Sequence, residues 1–247
     1  MACFEETGLV TKLKLDFHNE LEERLRFETL LTDISARFVN LPADHVDREI
    51  EDAQRAICEC LGIDHSSLWQ VASEDVDQLL LAHLYRAPDL PTPPQRMSGS
   101  EYFPWSQNKL QGKEIVSVPD TAKPPPEAAR ARDMETWRHF AIKSTLAFPL
   151  SAGGGPVIGV LTFDATREKR DWPEPLQKQL QLIAQVFANA LDRKRAEERL
   201  RESEARLSGG TLSERRALDL GSGDRSSVGY GESVRAAWFV SWRANRS

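Results

Sequence analysis

The most informative pattern in the chain is an uncharged run at residues 144–163, STLAFPLSAGGGPVIGVLTF. Apolar residues alternate on both sides of its centre, and the centre itself is Gly153-Gly154-Gly155-Pro156. A membrane-spanning helix needs about 20 apolar residues, but it would not place this glycine and proline cluster in the middle of the bilayer. Alternation on both sides of a Gly-rich turn instead predicts a buried β-hairpin.

Three other segments have the three-to-four-residue apolar spacing of amphipathic helices. They cover residues 18–41, 46–61 and 174–192. We expect Asp44 to cap the second helix and Gly62 to end it, since a carboxylate favours a helix start and glycine a helix end.

Shorter patterns fill the middle of the chain. Strand-like runs occur at residues 67–71, 79–85 and 115–118, and a helix is predicted from about Glu127 to Phe140. The segment from Ala87 to Gly112 contains five prolines and is predicted to be irregular.

The two ends of the chain differ from the middle. Residues 1–17 are interpreted as an N-terminal extension, and residues 193–207 as a strongly charged helix or thin coiled coil with few apolar positions. Residues 208–247 are rich in Gly, Ser and Arg and lack periodicity, so we expect most of this tail to be disordered.

Composition excludes several classes of protein. The net charge of −6 and the absence of a basic stripe argue against nucleic acid as a partner. The N-terminus lacks the apolar core of a secretory signal, and no membrane span is predicted, so we expect a cytoplasmic protein. The three cysteines, Cys3, Cys58 and Cys60, lack the spacing of a metal site, and we predict neither a metal centre nor a disulfide.

The order of these elements, together with the sequences IVSVPDTA, KSTLAFPLSAGGGPVIGVLTFDAT and WPEPLQKQLQLIAQVFANALDRKRAEERL, resembles the GAF family of sensory domains. The resemblance covers about residues 18–192 and is similar to the GAF modules in the input region of bacterial sensor histidine kinases. It implies an α+β fold with a central antiparallel sheet, terminal helices on one face, and loops and short helices over the other. A long charged helix would follow the domain.

The same resemblance implies a ligand pocket between the sheet and the segment from Tyr102 to Phe140. Six side chains in this region are the candidate ligand-binding residues: Phe103, Trp105, Asp120, Trp137, His139 and Phe140. Each has a structural alternative. The aromatic rings could simply close the core, Asp120 could cap a turn, and His139 could be a surface residue at a helix end.

Departures from the family's binding motifs argue against two classes of ligand that its members bind. Bilin-binding relatives carry a cysteine next to the histidine of the connecting helix, and the matching stretch here, Trp137-Arg138-His139-Phe140, has none. The Asn108-Lys109 pair lacks the rest of the cyclic-nucleotide signature. No cofactor is identified by the sequence.

We therefore expect a non-catalytic module that binds a small ligand or a partner and relays the signal through its C-terminal helix, as the truncated input part of a two-component sensor kinase. A homodimer through the terminal helices is predicted. The alternative is a ligand-free dimerisation or adaptor module. An empty cavity on the order of a few hundred Å³ facing Trp105 and Trp137 would favour sensing, and a filled one the adaptor.

Overall fold

The computed structural model describes the backbone of residues 2–130 and 132–220, and the side chains of residue 18 and of residues 21–129 and 132–206. The chain divides into two compact units, Met1–Leu200 and Arg201–Ser247. The helices are α1 (Ala2–Phe38), α2 (Val46–Leu61), α3 (Gly99–Tyr102), α4 (Pro104–Gln111), α5 (Pro126–Arg130), α6 (Asp133–His139) and α7 (Glu174–Leu220). The strands are β1 (His65–Val71), β2 (Gln78–Arg86), β3 (Arg96–Ser98), β4 (Val116–Val118), β5 (Ser144–Leu150) and β6 (Gly159–Ala165).

The six strands form one antiparallel sheet in the order β3-β2-β1-β6-β5-β4. The predicted hairpin is confirmed, because β5 and β6 pair directly, from Ser144 opposite Ala165 to Leu150 opposite Gly159. Between them, Gly153 and Gly154 have φ values of 56° and 76°. L-residues with a side chain rarely adopt this conformation, so the turn requires glycine.

The sheet is covered on both faces, which explains why the hairpin sequence has no charge. On one side, here called the helical face, strand residues such as Phe148 and Phe163 share a core with side chains of α1, α2 and α7, for example Ile34, Ile57 and Phe187. On the other side, called the loop face, the strand residues Trp69, Ala147 and Val160 share a second core with Leu110 of α4 and Trp137 of α6. Successive side chains of a strand point to opposite faces, so both sets of positions must be apolar.

Two predicted details of the N-terminal helices differ from the structure. The first helix begins at Ala2 and ends at Phe38, whereas the apolar spacing predicts residues 18–41. Asp44 does not cap α2, because it lies within a 3₁₀ turn, Ala43–His45, that precedes the helix. The predicted end of α2 is confirmed, since Gly62 follows it in the left-handed conformation with φ 64°.

The middle of the chain is more ordered than its sequence predicts. The Pro-rich segment from Ala87 to Gly112 contains β3, α3 and α4, and Pro104 begins α4, where its missing N–H leaves no bond unmade. The helix predicted from Glu127 to Phe140 is divided into α5 and α6. Elements of three to eight residues contain too few repeats to show a period, which is why the apolar pattern does not reveal them.

The last helix is longer than its apolar stripe. α7 continues to Leu220, so residues 208–220 are helical where the composition predicts disorder. The remainder of that predicted tail, residues 221–247, lies outside the described part of the chain. Of the helices described, none has the combination of length and apolar character that crossing a bilayer demands.

Candidate functional site

A cavity lies on the loop face of the sheet, beneath α4, α6 and the Pro-rich segment before β3. Its volume is about 100 Å³. Pockets for drug-sized ligands occupy roughly 300–1,000 Å³, and an engineered apolar cavity of about 150 Å³ holds benzene. The cavity is therefore smaller than expected, but its own side chains do not fill it. Its apolar wall includes Trp69, Leu79, Met97, Leu110, Val116, Ala147 and Val160.

The helices that cover the cavity are held together by one buried carboxylate. Asp133 begins α6 and is fully buried. Its oxygens accept from the backbone N–H groups of Trp105 and Ser106, each at 2.9 Å, and from Oγ of Ser106 at 2.6 Å. These bonds satisfy amides in the first turn of α4 that have no partner within the helix, and they join α4 to α6.

Three of the six candidate residues, Phe103, Trp137 and Phe140, line the cavity. Trp137 is 2% exposed and contacts the ring of Phe103, with 6.4 Å between centroids. Trp105 packs against Trp137 at an interplanar angle of 81° but does not line the cavity. The predicted aromatic cluster therefore exists, with Trp105 behind the wall; that these rings bind a ligand stays a prediction.

The other two candidates lie away from the cavity. Oδ1 of Asp120 accepts from the N–H of Ala122 at 3.0 Å, and Oδ2 accepts from Nζ of Lys169 at 2.6 Å. The Lys169 hydrogen bond lowers the pKa of Asp120. His139 is exposed at the end of α6, where its ring lies edge-on to Phe140. Both positions match the structural alternatives, a turn cap and a helix-end residue.

The cavity also has a polar wall, which comes from β1 and β6 and is not predicted by the apolar pattern of the sequence. Nδ1 of His65 lies 2.9 Å from Oδ2 of Asp164. Oγ1 of Thr162 donates to the same oxygen at 3.1 Å, and Oγ of Ser67 lies 2.8 Å from Oγ1 of Thr162. Nε1 of Trp69 donates to Oγ of Ser67 at 2.8 Å. The antiparallel register brings these residues together, because His65 pairs with Asp164 and Ser67 with Thr162.

The hydrogen bonds of this wall form a chain in which each group donates to the next, and the final acceptor is the carboxylate of Asp164. A carboxylate oxygen only accepts, so Nδ1 of His65 and the hydroxyl of Thr162 both donate to Asp164. The hydroxyl of Ser67 then donates to Thr162. Alternate polar residues within the apolar strands, at 65 and 67 and at 162 and 164, were the available sequence signal.

The comparisons with known proteins identify the fold that carries this cavity. The profile of the GAF domain family matches residues 45–191, more than half of the chain. The chain belongs to the GAF domain family. No match is found among curated proteins.

Solved structures of GAF domains have the same fold. The phycocyanobilin-bound GAF domain of a cyanobacterial phytochrome is 17% identical, with a TM-score of 0.57, and the alignment covers 69% of this chain and 96% of that one. The GAF domain of an Acinetobacter phosphoenolpyruvate-protein phosphotransferase is 14% identical (TM-score 0.54; 70% and 98% covered). Free methionine-R-sulfoxide reductase from Neisseria meningitidis, in complex with its substrate, is 17% identical (TM-score 0.52; 69% and 91% covered).

The cavity of this GAF domain contains an acid–histidine pair, whereas the described cysteines lie on α2. Among the cavity-lining residues that the structure describes, only His65 and Asp164 are ionisable. Cys58 lies on α2 within the core of the helical face, where burial raises the pKa of its thiol above the ordinary range. The thiol is therefore protonated and on the opposite side of the sheet from the cavity. Cys60 is half-buried on the same helix.

The C-terminal helix of the GAF domain is attached to the sheet by hydrogen bonds. Nη2 of Arg195 in α7 donates to Oε1 of Gln70 in β1 at 2.7 Å. The two residues before Arg195 bind other parts of the domain: Nη2 of Arg193 donates to the carbonyl of Leu41 at 2.7 Å, and Lys194 pairs with Asp47 of α2. The strand that supplies His65, Ser67 and Trp69 to the cavity is thus in direct contact with α7.

Proposed function

We propose that this GAF domain is a cytoplasmic sensory or regulatory module. In this proposal it binds a small molecule in the loop-face cavity and changes, on binding, how firmly α7 is held against the sheet. α7 would carry that change to an output module, such as the rest of a two-component sensor kinase. No covalent chemistry is proposed.

Unfilled space at the cavity supports the binding step. The cavity has an apolar wall, a polar wall with an acid–histidine pair, and a cover of short helices. A few converging polar groups in an otherwise apolar pocket are typical of small-molecule sites. If the domain were only a ligand-free adaptor, its own side chains would be expected to fill this space.

The relay step rests on one observation, the bond between Arg195 and Gln70. β1 contacts the cavity through His65, Ser67 and Trp69, and it contacts α7 through Gln70. A ligand acts only through a difference in affinity between two states of the protein. In this proposal the two states differ in whether the bond between β1 and α7 is made.

We also propose that two copies associate through α1 and α7. Both helices expose large apolar side chains: Leu21 and Leu25 on α1, and Leu182 and Leu200 on α7. Exposed leucines on long helices can pair with a second copy of the same helix. The charged pairs along the rest of α7 contribute only about 0.2–0.5 kcal/mol each, so the leucines would supply most of the association energy.

The substitution Ala147→Leu tests the binding step. Ala147 lines the cavity from β5 and is buried, so a leucine there would occupy the space that a ligand needs. Native mass spectrometry of the wild-type protein should show a retained small molecule, and the variant should show none. Because filling a cavity stabilises a protein by about 0.5–2 kcal/mol, the free energy of unfolding of the variant should be unchanged or higher.

The same spectra report the number of subunits, so they test the dimer as well. A dimer without any retained molecule, identical in wild type and variant, would contradict sensing and favour the adaptor. A monomer that retains a molecule would leave the binding step standing and contradict the pairing of α1 and α7.

A further inference from the structure

The chemistry of the cavity walls narrows the ligand class, on the assumption that the proposed binding function holds. We propose that the site takes a molecule with one aromatic or heteroaromatic ring that carries an N–H or O–H donor and no negative charge. The ring would lie against Trp69 and Trp137, and the donor would bond Asp164.

The size of the cavity is the first restriction on the ligand. About 100 Å³ is available in the cavity, and a cavity of about 150 Å³ accommodates benzene. The ligand can therefore be no larger than a single ring with one small substituent, and the cavity would have to widen to admit even that. A nucleotide or a linear tetrapyrrole is several times larger.

The second restriction is the shape and polarity of the apolar wall. The lining includes the rings of Trp69, Phe103, Trp137 and Phe140. Aromatic pairs in edge-to-face or offset geometry contribute about 0.5–1.5 kcal/mol beyond the burial of their area. These four rings therefore favour a flat aromatic ligand over a branched aliphatic one of equal volume.

The third restriction is the unused acceptor on Asp164. Both hydrogen bonds to its carboxylate, from His65 and Thr162, go to Oδ2. Oδ1 receives no hydrogen bond from any side chain or backbone group that the structure describes, although Asp164 is only 3% exposed. This oxygen is not among the fully enclosed unsatisfied groups of the described side chains, so it is accessible to a bound molecule. A ligand N–H or O–H would donate to it and form a hydrogen bond to a charged group, which contributes about 1.5–3 kcal/mol.

The fourth restriction is charge. Lys and Arg are absent from the described lining, and the one basic side chain there, His65, is already bonded to Asp164, so no free cation would balance a carboxylate or phosphate on the ligand. An anion would lose its hydration and be repelled by Asp164. A neutral donor meets neither cost, and a cationic donor, although it also loses hydration, is attracted by Asp164. A charge-assisted bond to a carboxylate is stronger than one between neutral groups.

Four single-ring compounds test this proposal by ligand-observed NMR at pH 7. Phenol and aniline carry a donor, toluene lacks one, and benzoate is an anion. Wild-type protein should bind phenol and aniline about tenfold or more tightly than toluene or benzoate, as expected for one hydrogen bond to a charged group. Ala147→Leu should abolish binding of all four.

Two variants test whether the ligand's donor bonds Asp164. Asp164→Asn should weaken the binding of phenol about tenfold, because the charged acceptor is lost. Asp120→Asn is the matched control, since Asp120 bonds Lys169 outside the cavity, and it should leave the affinity unchanged. If Asp164→Asn does not fold, the ranking of the four compounds on the wild-type protein decides alone.

The outcomes separate the ligand class from the binding function. If toluene or benzoate binds as tightly as phenol, the proposed class is wrong and the pocket stands. If none of the four binds while native mass spectrometry finds a retained molecule, the class is again wrong. If none binds and no molecule is retained, the binding function itself is overturned.

Discussion

At the scale of single residues, the least obvious group in this molecule is His83 of β2. Its side chain is 3% exposed, and it lies between α2 and α7, with Asp47 at 3.5 Å, Glu51 at 3.6 Å and Lys194 nearby. Burial lowers the pKa of His83, and this outweighs the opposing effect of the two partly exposed carboxylates. The folded domain therefore prefers the neutral ring.

This preference predicts how stability depends on pH. The unfolded chain protonates His83 near the ordinary pKa of about 6.5, whereas the folded domain resists protonation until lower pH. The free energy of unfolding should therefore be highest above pH 6.5 and fall as the pH drops through the lowered pKa, by at most about 1.4 kcal/mol per pH unit from this group. Urea titrations between pH 7.5 and 5 measure it.

The variant His83→Gln should flatten that decline, and His45→Gln is the control, because His45 is largely exposed. Parallel pH curves for wild type and His83→Gln would show that the ring does not carry this part of the stability.

Three of the four predicted aromatic residues line the cavity, and that they bind a ligand stays a prediction, whereas the polar groups inside the strands were not predicted. Phe103, Trp137 and Phe140 lie in the segment that covers the loop face of the sheet, where the resemblance placed the pocket. His65 and Asp164 are 99 positions apart, and only the pairing of β1 with β6 brings them together. A sequence gives no register between distant strands, so this pair could not be predicted.

At the scale of elements, periodicity decided what could be predicted. α2, the β5–β6 hairpin and the first half of α7 have long apolar repeats, and the structure confirms all three. β3, α3 and α4 are too short to show a repeat. These segments are held in place by tertiary hydrogen bonds such as those of Asp133, and no local sequence pattern indicates such bonds.

Removing that carboxylate should loosen the cover of the cavity. In Asp133→Ala the N–H groups of Trp105 and Ser106 lose their acceptor while remaining partly or fully buried. An unsatisfied buried donor costs about 1–3 kcal/mol, so we expect the free energy of unfolding to fall by at least that amount and amides of α4 to exchange faster. Chemical denaturation and hydrogen exchange measure the two effects.

The control for this variant is Asp120→Ala, which removes a partly exposed carboxylate bonded to Lys169. Exposed ion pairs contribute about 0–1 kcal/mol, so its effect should be much smaller. Equal destabilisation by the two substitutions would contradict a special role for Asp133.

At the scale of the whole molecule, the resemblance to GAF domains predicted the architecture, and the family match confirms it. The arrangement of the sheet places the cavity on one face and α1, α2 and α7 on the other. In the proposed relay a signal from the cavity has to cross the sheet, and β1 is the strand that both lines the cavity and bonds Arg195 of α7 through the side chain of Gln70.

The most direct test of this account is hydrogen exchange in α7, followed by mass spectrometry over residues 190–200. The account predicts that Ala147→Leu, which fills the cavity, changes exchange in this segment relative to wild type, and that adding Arg195→Gln removes the difference. If exchange in α7 is the same with the cavity empty and filled, the cavity and the helix are not coupled, and the proposed relay is wrong.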